Sequence, residues 1–338
     1  MQCKLMAAVL AAAIPLCASA QSSVTIYGVA DAALAKEDTG AKGGSRTVVN
    51  SGNQSTSRVG FRGVEDLGNG LSAVFNLEAG VALDTGMGDS SLFGRRSVVG
   101  LKGGFGTVMI GREYTPIADV ANASDINGQG FYGTNLNSFG ANRLTRRISN
   151  SVNYKSNSMG GVIVSAGYGL GETLVGPSLD LMGLALEYKA NNIYVGAGYH
   201  QIERLASGDD KEMIVGAGFT AGAVEVRANY MVANPTGNNN KYEQANAGVS
   251  YTFGANKIYG NLQQSKLEGG AKGNGFSLAY SYALSKRTNV YTSYASIRNN
   301  NKAAFGIFSA GAQVTPDATK GQSGSDPSAF SVGVRHSF

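Results

Sequence analysis

The sequence predicts an all-β fold, a transmembrane antiparallel β-barrel of sixteen strands, and three observations carry that expectation. Apolar and polar residues alternate with a period of two along most of the chain after Gln21, as in strands with two unlike faces. The alternating segments run about 9 to 12 residues, the length a tilted strand needs to cross a bilayer, whereas soluble strands average about 5 to 6. Glycine reaches 48 of 338 residues and charged residues only 15 %. No run of about 18 apolar residues follows the first twenty positions, which excludes helical spans from the mature chain. Sixteen Tyr and 13 Phe spread along the length argue against disorder.

Taken in order, residues 1–20 read as a cleaved export signal. Lys4 supplies the positive start, Leu5 to Leu16 the apolar stretch, and Ala18-Ser19-Ala20 the small-residue cleavage pattern. Cleavage after Ala20 leaves 21–338 as a single barrel domain. Both cysteines, Cys3 and Cys17, fall in the signal, so the mature chain offers no disulfide, cysteine nucleophile or thiolate metal site. Removing Lys4 from the 28 basic residues leaves 27 against 23 acidic, a net of +4. That excess is too small to point to nucleic acid.

The sixteen segments centre on Gly28, Gly60, Phe75, Val98, Met109, Val152, Val164, Leu186, Val195, Val215, Val226, Gly248, Tyr259, Leu278, Tyr291 and Gly333. In the last, Phe330, Val332, Val334, His336 and Phe338 share one face and Ser331, Gly333, Arg335 and Ser337 the other. An even count brings both termini to one side of the membrane, and closure removes the edges that hydrocarbon forbids. Connections alternate between short turns, such as Asp66 to Gly70 and Gly103 to Gly106, and long loops after Ala35, Tyr114, Gly169, Gln201, Val232, Lys266 and Arg298. The longest internal one, about Tyr114 to Leu144, exceeds a plain hairpin loop and is expected to be functional.

Particular motifs then carry a resemblance. Ser23-Val24-Thr25-Ile26-Tyr27-Gly28, the run from Ser57-Arg58-Val59-Gly60 to Gly70-Leu71, Phe93-Gly94-Arg95-Arg96 leading to Val99-Gly100-Leu101, and Gly104-Phe105-Gly106 leading to Gly111-Arg112 resemble the Gram-negative general diffusion porins, especially those of beta-proteobacteria. The resemblance implies a homotrimeric sixteen-stranded barrel in the outer membrane, touching its lipid and lipopolysaccharide, with the third loop folded into the lumen. It also implies that Phe338 is the terminal aromatic read by the outer-membrane assembly machinery.

Between Arg112 and Arg143 the chain carries no basic residue, but Glu113, Asp119 and Asp125 are acidic. Arg58 and Arg62 share the face opposite Val59 and Phe61, and Arg147 shares its face with Ser149, Ser151 and Asn153. Charge on a lipid face costs about 2 to 4 kcal/mol at the midplane, so these arginines are expected to point into water. Parity alone leaves open whether they line a constriction. The resemblance implies that they do, as a basic wall of Arg58, Arg62, Arg95 or Arg96, and Arg147 facing Glu113, Asp119 and Asp125. Parity favours Arg96 over Arg95 as lumen-facing, and that choice stays open. The loop has Gln129-Gly130-Phe131-Tyr132-Gly133 where enterobacterial porins carry a proline-glutamate-phenylalanine-glycine signature.

The expected function is passive diffusion of small hydrophilic solutes and ions, with a modest anion preference and no cofactor or metal. A substrate-specific channel for an organic anion or sugar is the alternative; Tyr27, Tyr194, Tyr259 and Tyr291 are its only candidate lumen aromatics. An enzyme is disfavoured. His200 and His336 sit in no zinc spacing, and no nucleophile elbow or phosphate-binding loop occurs. Gly28, Ala30, Ala32 and Gly333 are expected to soften the first and last strands for subunit contact.

Overall fold

The structure, a computed structural model, describes residues 23–140, 143–205, 208–236 and 241–338. The leader expected at 1–20 lies outside the described residues. One antiparallel sheet curls until its first strand, β1 (Ser23–Asp38), pairs with its last, β19 (Ser328–Ser337). Between them run β2 (Ser45–Ser51), β3 (Arg58–Gly68), β4 (Leu71–Gly80), β5 (Arg96–Gly103), β6 (Gly106–Tyr114), β7 (Arg147–Lys155), β8 (Val162–Gly169) and β9 (Leu181–Ala190). Then follow β10 (Ile193–Leu205), β11 (Gly208–Ala221), β12 (Val224–Asn234), β13 (Tyr242–Phe253), β14 (Asn256–Leu267), β15 (Ala271–Ala283) and β16 (Thr288–Asn299). A helix, α1, spans Pro116–Ala123, and β17 (Ile307–Phe308) pairs with β18 (Gln313–Val314) in a separate hairpin.

β2 and β3 both pair with β1, the first at Ala32–Asp38 and the second at Ser23–Val29. They are two pieces of one barrel strand, so the closed wall has sixteen. Each expected centre lies within a strand. Asp31 fills the break between the two pieces. Its Oδ2 accepts from the backbone N–H of Gln54 at 3.1 Å and Ser55 at 2.7 Å, and its Oδ1 accepts from the Tyr291 hydroxyl at 2.6 Å. The broken ladder is thereby satisfied by a buried carboxylate just above Arg58.

The alternation has the expected sense. Outward residues such as Leu262 and Val99 are exposed to what would be lipid, while inward ones such as Asp31, Asn229 and Ser331 are buried in the interior. Three expectations need correction. Strands reach further than the apolar alternation suggested: β10 and β11 pair out to Leu205 and Gly208, and Glu268–Gly270 alone joins β14 to β15. These ends project past the apolar band, where no lipid enforces alternation. Gly28 does not offer open surface, because a Cβ there would lie 2.3 Å from the Phe338 ring of the same chain. Gly333 faces the lumen, where a Cβ would lie 2.4 Å from the Tyr291 ring. Ala30 and Ala32 remain as the small outward residues of β1.

The segment after β6 packs against inward side chains of the wall. Pro116 stands at the start of α1, where its missing N–H costs nothing, and Thr115 takes the N-cap position in extended conformation without a side-chain cap. Pro116, Ile117, Ala118, Val120 and Ala121 are buried. Inward glycines make the close approach possible. A Cβ on Gly216 would lie 2.5 Å from Ser124 Cβ, and one on Gly248 would lie 2.2 Å from Ile126 Cγ2. Gly248→Val is therefore expected to push this segment off the wall at an overpacking cost of about 1–3 kcal/mol. The readout is a lower temperature for loss of the fast-migrating folded band in heat-series gels, and an unchanged temperature would contradict this packing.

Candidate functional site

Arginines gather in the lumen where β3, β5, the end of β6 and the start of β7 come together. Arg58 opens β3 and Arg95 precedes β5 by one residue, so Arg95 is not bound by strand parity. Arg95 Nε donates to Glu78 Oε1 at 2.7 Å, and Arg58 Nε lies 3.4 Å from Glu78 Oε2. Arg96, the first residue of β5, donates from Nε to Glu113 Oε2 at 2.8 Å. Both members of the Arg95–Arg96 pair thus reach the lumen, and the choice between them dissolves because the strand begins between them.

Tyr114 organises the cluster. Its hydroxyl accepts from Arg147 Nη2 at 2.7 Å and Arg95 Nη2 at 3.0 Å, and the Arg147 guanidinium lies 4.5 Å from its ring centroid. Strict alternation does not deliver Arg147 to this place. The ladder is bulged between Gly111 and Glu113, and Asn150 takes a left-handed φ of 51°. Ile148, next to Arg147, is buried against Leu181 and Ile202. Arg146 donates to Gln129 Oε1 at 2.8 Å. Burial pulls its guanidinium down to about 10, so it stays charged at neutral pH. Arg335, from β19, donates to Ser55 Oγ at 2.8 Å.

Three water-accessible cavities line up through this region. A central one of about 280 Å³ is bordered by Arg58, Arg95, Arg96, Arg146, Tyr114, Glu78 and Asp119. On the long-loop side one of about 380 Å³ shares Arg146 and adds Arg147, with Phe139 and the β17–β18 connection opposite. Toward the short turns one of about 530 Å³ shares Arg96, Tyr114 and Asp119 and adds Lys102, Glu113 and Lys155. The central cavity therefore sets four guanidinium groups against two carboxylates. Glu78 is held by two arginines, and Asp119 is held by Lys155 Nζ at 2.6 Å.

Two anticipated residues lie elsewhere. Arg62 sits four residues along β3 from Arg58, about 13 Å at strand rise, with its guanidinium 5.1 Å from the Tyr27 ring centroid, and it borders none of these cavities. Asp125 is buried inside the loop, where it accepts from the backbone N–H of Asn127 at 3.0 Å, Gln129 at 3.2 Å and Asn135 at 3.2 Å, and from the Thr134 hydroxyl. Burial pushes its carboxyl up against the pull of those donors. It shapes the loop and presents no charge to the cavities. Glu113 belongs to the end of β6, with Asp119 on α1.

Glu78, Tyr114, Arg146, Lys155 and Arg335 were missed. Glu78 and Arg335 stand at inward parity in their strands and were legible there. Tyr114 and Arg146 lie where the alternation breaks, and no pattern marks them.

A closed antiparallel barrel with an apolar exterior and a polar interior, its inner cavities lined by charged side chains, defines a membrane pore. A sequence-family model described as Gram-negative porin matches residues 7–303, and the chain belongs to that family. Outer membrane porin protein 32 of Delftia acidovorans is 30 % identical, with 95 % of each chain covered. An outer membrane porin of Bordetella pertussis is 28 % identical over 99 % of both chains. Among solved structures, an anion-selective porin from Comamonas acidovorans superposes with a TM-score of 0.82 at 26 % identity, over 94 % of this chain and all of that one. The protein is an outer-membrane diffusion channel, and its family and fold point to a channel and not an enzyme.

Tyr114→Phe removes the acceptor shared by Arg95 and Arg147 and leaves both donors short of a partner. A loss of about 1–3 kcal/mol is expected, seen as earlier thermal unfolding of the detergent-solubilised barrel by circular dichroism. An unshifted transition would mean that the hydroxyl organises nothing.

Proposed function

We propose that this porin passes small hydrophilic solutes with a modest preference for anions. The observation that carries this is the excess of guanidinium groups over carboxylates around the central cavity. Arg146 and Arg147 are held by an amide oxygen and a phenol, which leave their charge uncancelled. In a narrow, low-dielectric passage such a surplus concentrates anions, and the effect weakens as salt rises. The solved relative described as anion-selective supports the same preference. In this reading Arg58, Arg95, Arg96, Arg146 and Arg147 form the basic wall, and Glu78, Glu113 and Asp119 the acids that temper it. The lumen tyrosines suit a sugar-specific channel poorly: Tyr194 and Tyr291 are buried, their hydroxyls engaged by Glu187 and Asp31.

The reading extends to assembly and needs no catalysis or cofactor. Export with cleavage after Ala20 would be followed by recognition of Phe338, whose ring is half exposed on the outer face over Gly28. Ala30 and Ala32 allow close subunit approach in a homotrimer within lipid and lipopolysaccharide.

Reversal potentials across a salt gradient test the ion preference. Arg58→Gln with Arg147→Gln should move the reversal potential toward cations and raise conductance slightly, with the difference shrinking at high salt. An unmoved reversal potential would place the selectivity elsewhere. On mild detergent gels a heat-labile band near three times the monomer mass is expected, and a chain that stays monomeric in every mild detergent would remove the trimer.

A further inference from the structure

Both roots of the inward loop meet the wall at one buried place. At the leading root, the backbone N–H of Ile117 points to His200 Nε2 at 3.4 Å. At the trailing root, Thr145 donates its N–H to Glu212 Oε2 and its hydroxyl to Glu212 Oε1, each at 2.8 Å. His200 on β10 and Glu212 on β11 are direct cross-strand partners, with Nδ1 and Oε2 3.1 Å apart. Both side chains are buried, at 0 % and 1 % exposure. His200 therefore touches the leading root directly and the trailing root through Glu212.

The chemistry fits a single arrangement. A neutral imidazole that accepts at Nε2 carries its proton on Nδ1 and donates it to the carboxylate. Glu212 then accepts three hydrogen bonds, two from Thr145 and one from His200. The roots are also tied to one another, since the Thr115 hydroxyl donates to the Thr145 carbonyl at 2.8 Å. Gly183 makes room for the arrangement, because a Cβ there would lie 2.7 Å from His200 Cδ2 and 3.3 Å from Pro116 Cδ.

We propose that His200 and Glu212 are positioning residues, a latch that seats the pore loop and thereby sets the bore of the channel. The proposal rests on the diffusion-channel reading. Farther along the loop several tethers are neutral, for example Asn229 to the Ser124 carbonyl and Asn261 to the Gly133 carbonyl, each at 2.9 Å, while Tyr132 donates its hydroxyl to the buried Glu37 carboxylate at 2.7 Å. Hydrogen bonds to an ionised carboxylate are roughly twice as strong as neutral ones. A buried carboxylate without partners is also costly, so Glu212 drives the latch shut. α1 carries Asp119 into the central cavity, so a shift at its root moves a pore-lining charge.

The test is liposome swelling with the full-length protein, comparing entry of a neutral trisaccharide with that of a monosaccharide. His200→Ala and Glu212→Gln should each raise the trisaccharide-to-monosaccharide rate ratio by about twofold, because the narrowest section governs large solutes most. His200→Gln, whose amide can donate to Glu212 and accept from Ile117, should restore the wild-type ratio. A merely structural histidine would not give that pattern. If His200→Ala does not fold, Thr145→Val carries the test: it deletes one hydrogen bond and leaves the His200–Glu212 pair intact, and a smaller rise is expected. Unchanged ratios in variants that run as folded, heat-modifiable barrels would overturn the latch alone. A wild-type protein that admits neither sugar would overturn the channel reading and the latch with it.

Discussion

In hydrocarbon a backbone N–H or C=O without a partner costs several kcal/mol, so the sheet must close on itself, and nearly everything else follows from that closure. The seam is made by the chain's two ends. β1 and β19 run in continuous register from Val29 opposite Ser337 to Asp38 opposite Ser328. Beyond it Gly28 and Phe338 exchange two backbone hydrogen bonds of 3.1 Å each. Once the seam is shut, the two faces of every strand have fixed meanings, one toward lipid and one toward water. The glycine at position 28 lets the terminal ring lie flat over the seam, so the same residue serves backbone pairing and side-chain packing.

Closure alone would leave an open tube. Inward glycines of the wall, among them Gly198, Gly216 and Gly248, let a long connection lie against it. A second connection follows it inside: Gly133 donates its N–H to the Phe308 carbonyl at 2.9 Å, and Thr56 donates its hydroxyl to the Ala310 carbonyl at 2.8 Å. The β17–β18 hairpin therefore backs the loop, and both border the long-loop cavity with Arg146 and Arg147. Amide and hydroxyl contacts hold these pieces in place, some of them to buried carboxylates of the wall, as from Thr145 to Glu212 and from Tyr132 to Glu37.

The charge balance depends on the kind of partner each arginine finds. A carboxylate cancels charge, whereas a phenol or an amide oxygen orients a guanidinium and leaves the charge standing. Glu78 is shared between Arg58 and Arg95, so one negative group orders two positive ones. Tyr114 orders Arg95 and Arg147 without adding any charge at all. Asp125, although acidic and in the right loop, spends its acceptors on backbone N–H groups.

What the sequence by itself determined is the wall. Period-two alternation is a local consequence of facing two solvents, so all sixteen strand centres, their outward faces and the inward direction of Arg58 could be read from neighbouring residues alone. The arginine-rich motifs place Arg58, Arg95 and Arg96 around one cavity. Only the tertiary structure decided which charges meet. Arg95 reaches the lumen because its strand starts one residue later, and Arg147 arrives there through a bulge and a left-handed Asn150. Arg62 is left four residues farther along β3, and Asp125 is turned inward to hold its own loop. The contacts of His200 are hidden from any local pattern because its partners, Ile117 and Glu212, lie 83 and 12 residues away. Alternation reports only which side of the wall a residue faces. Height along the pore, and the company a side chain keeps there, depend on register, bulges and loop packing, which are long-range contacts that no local pattern encodes.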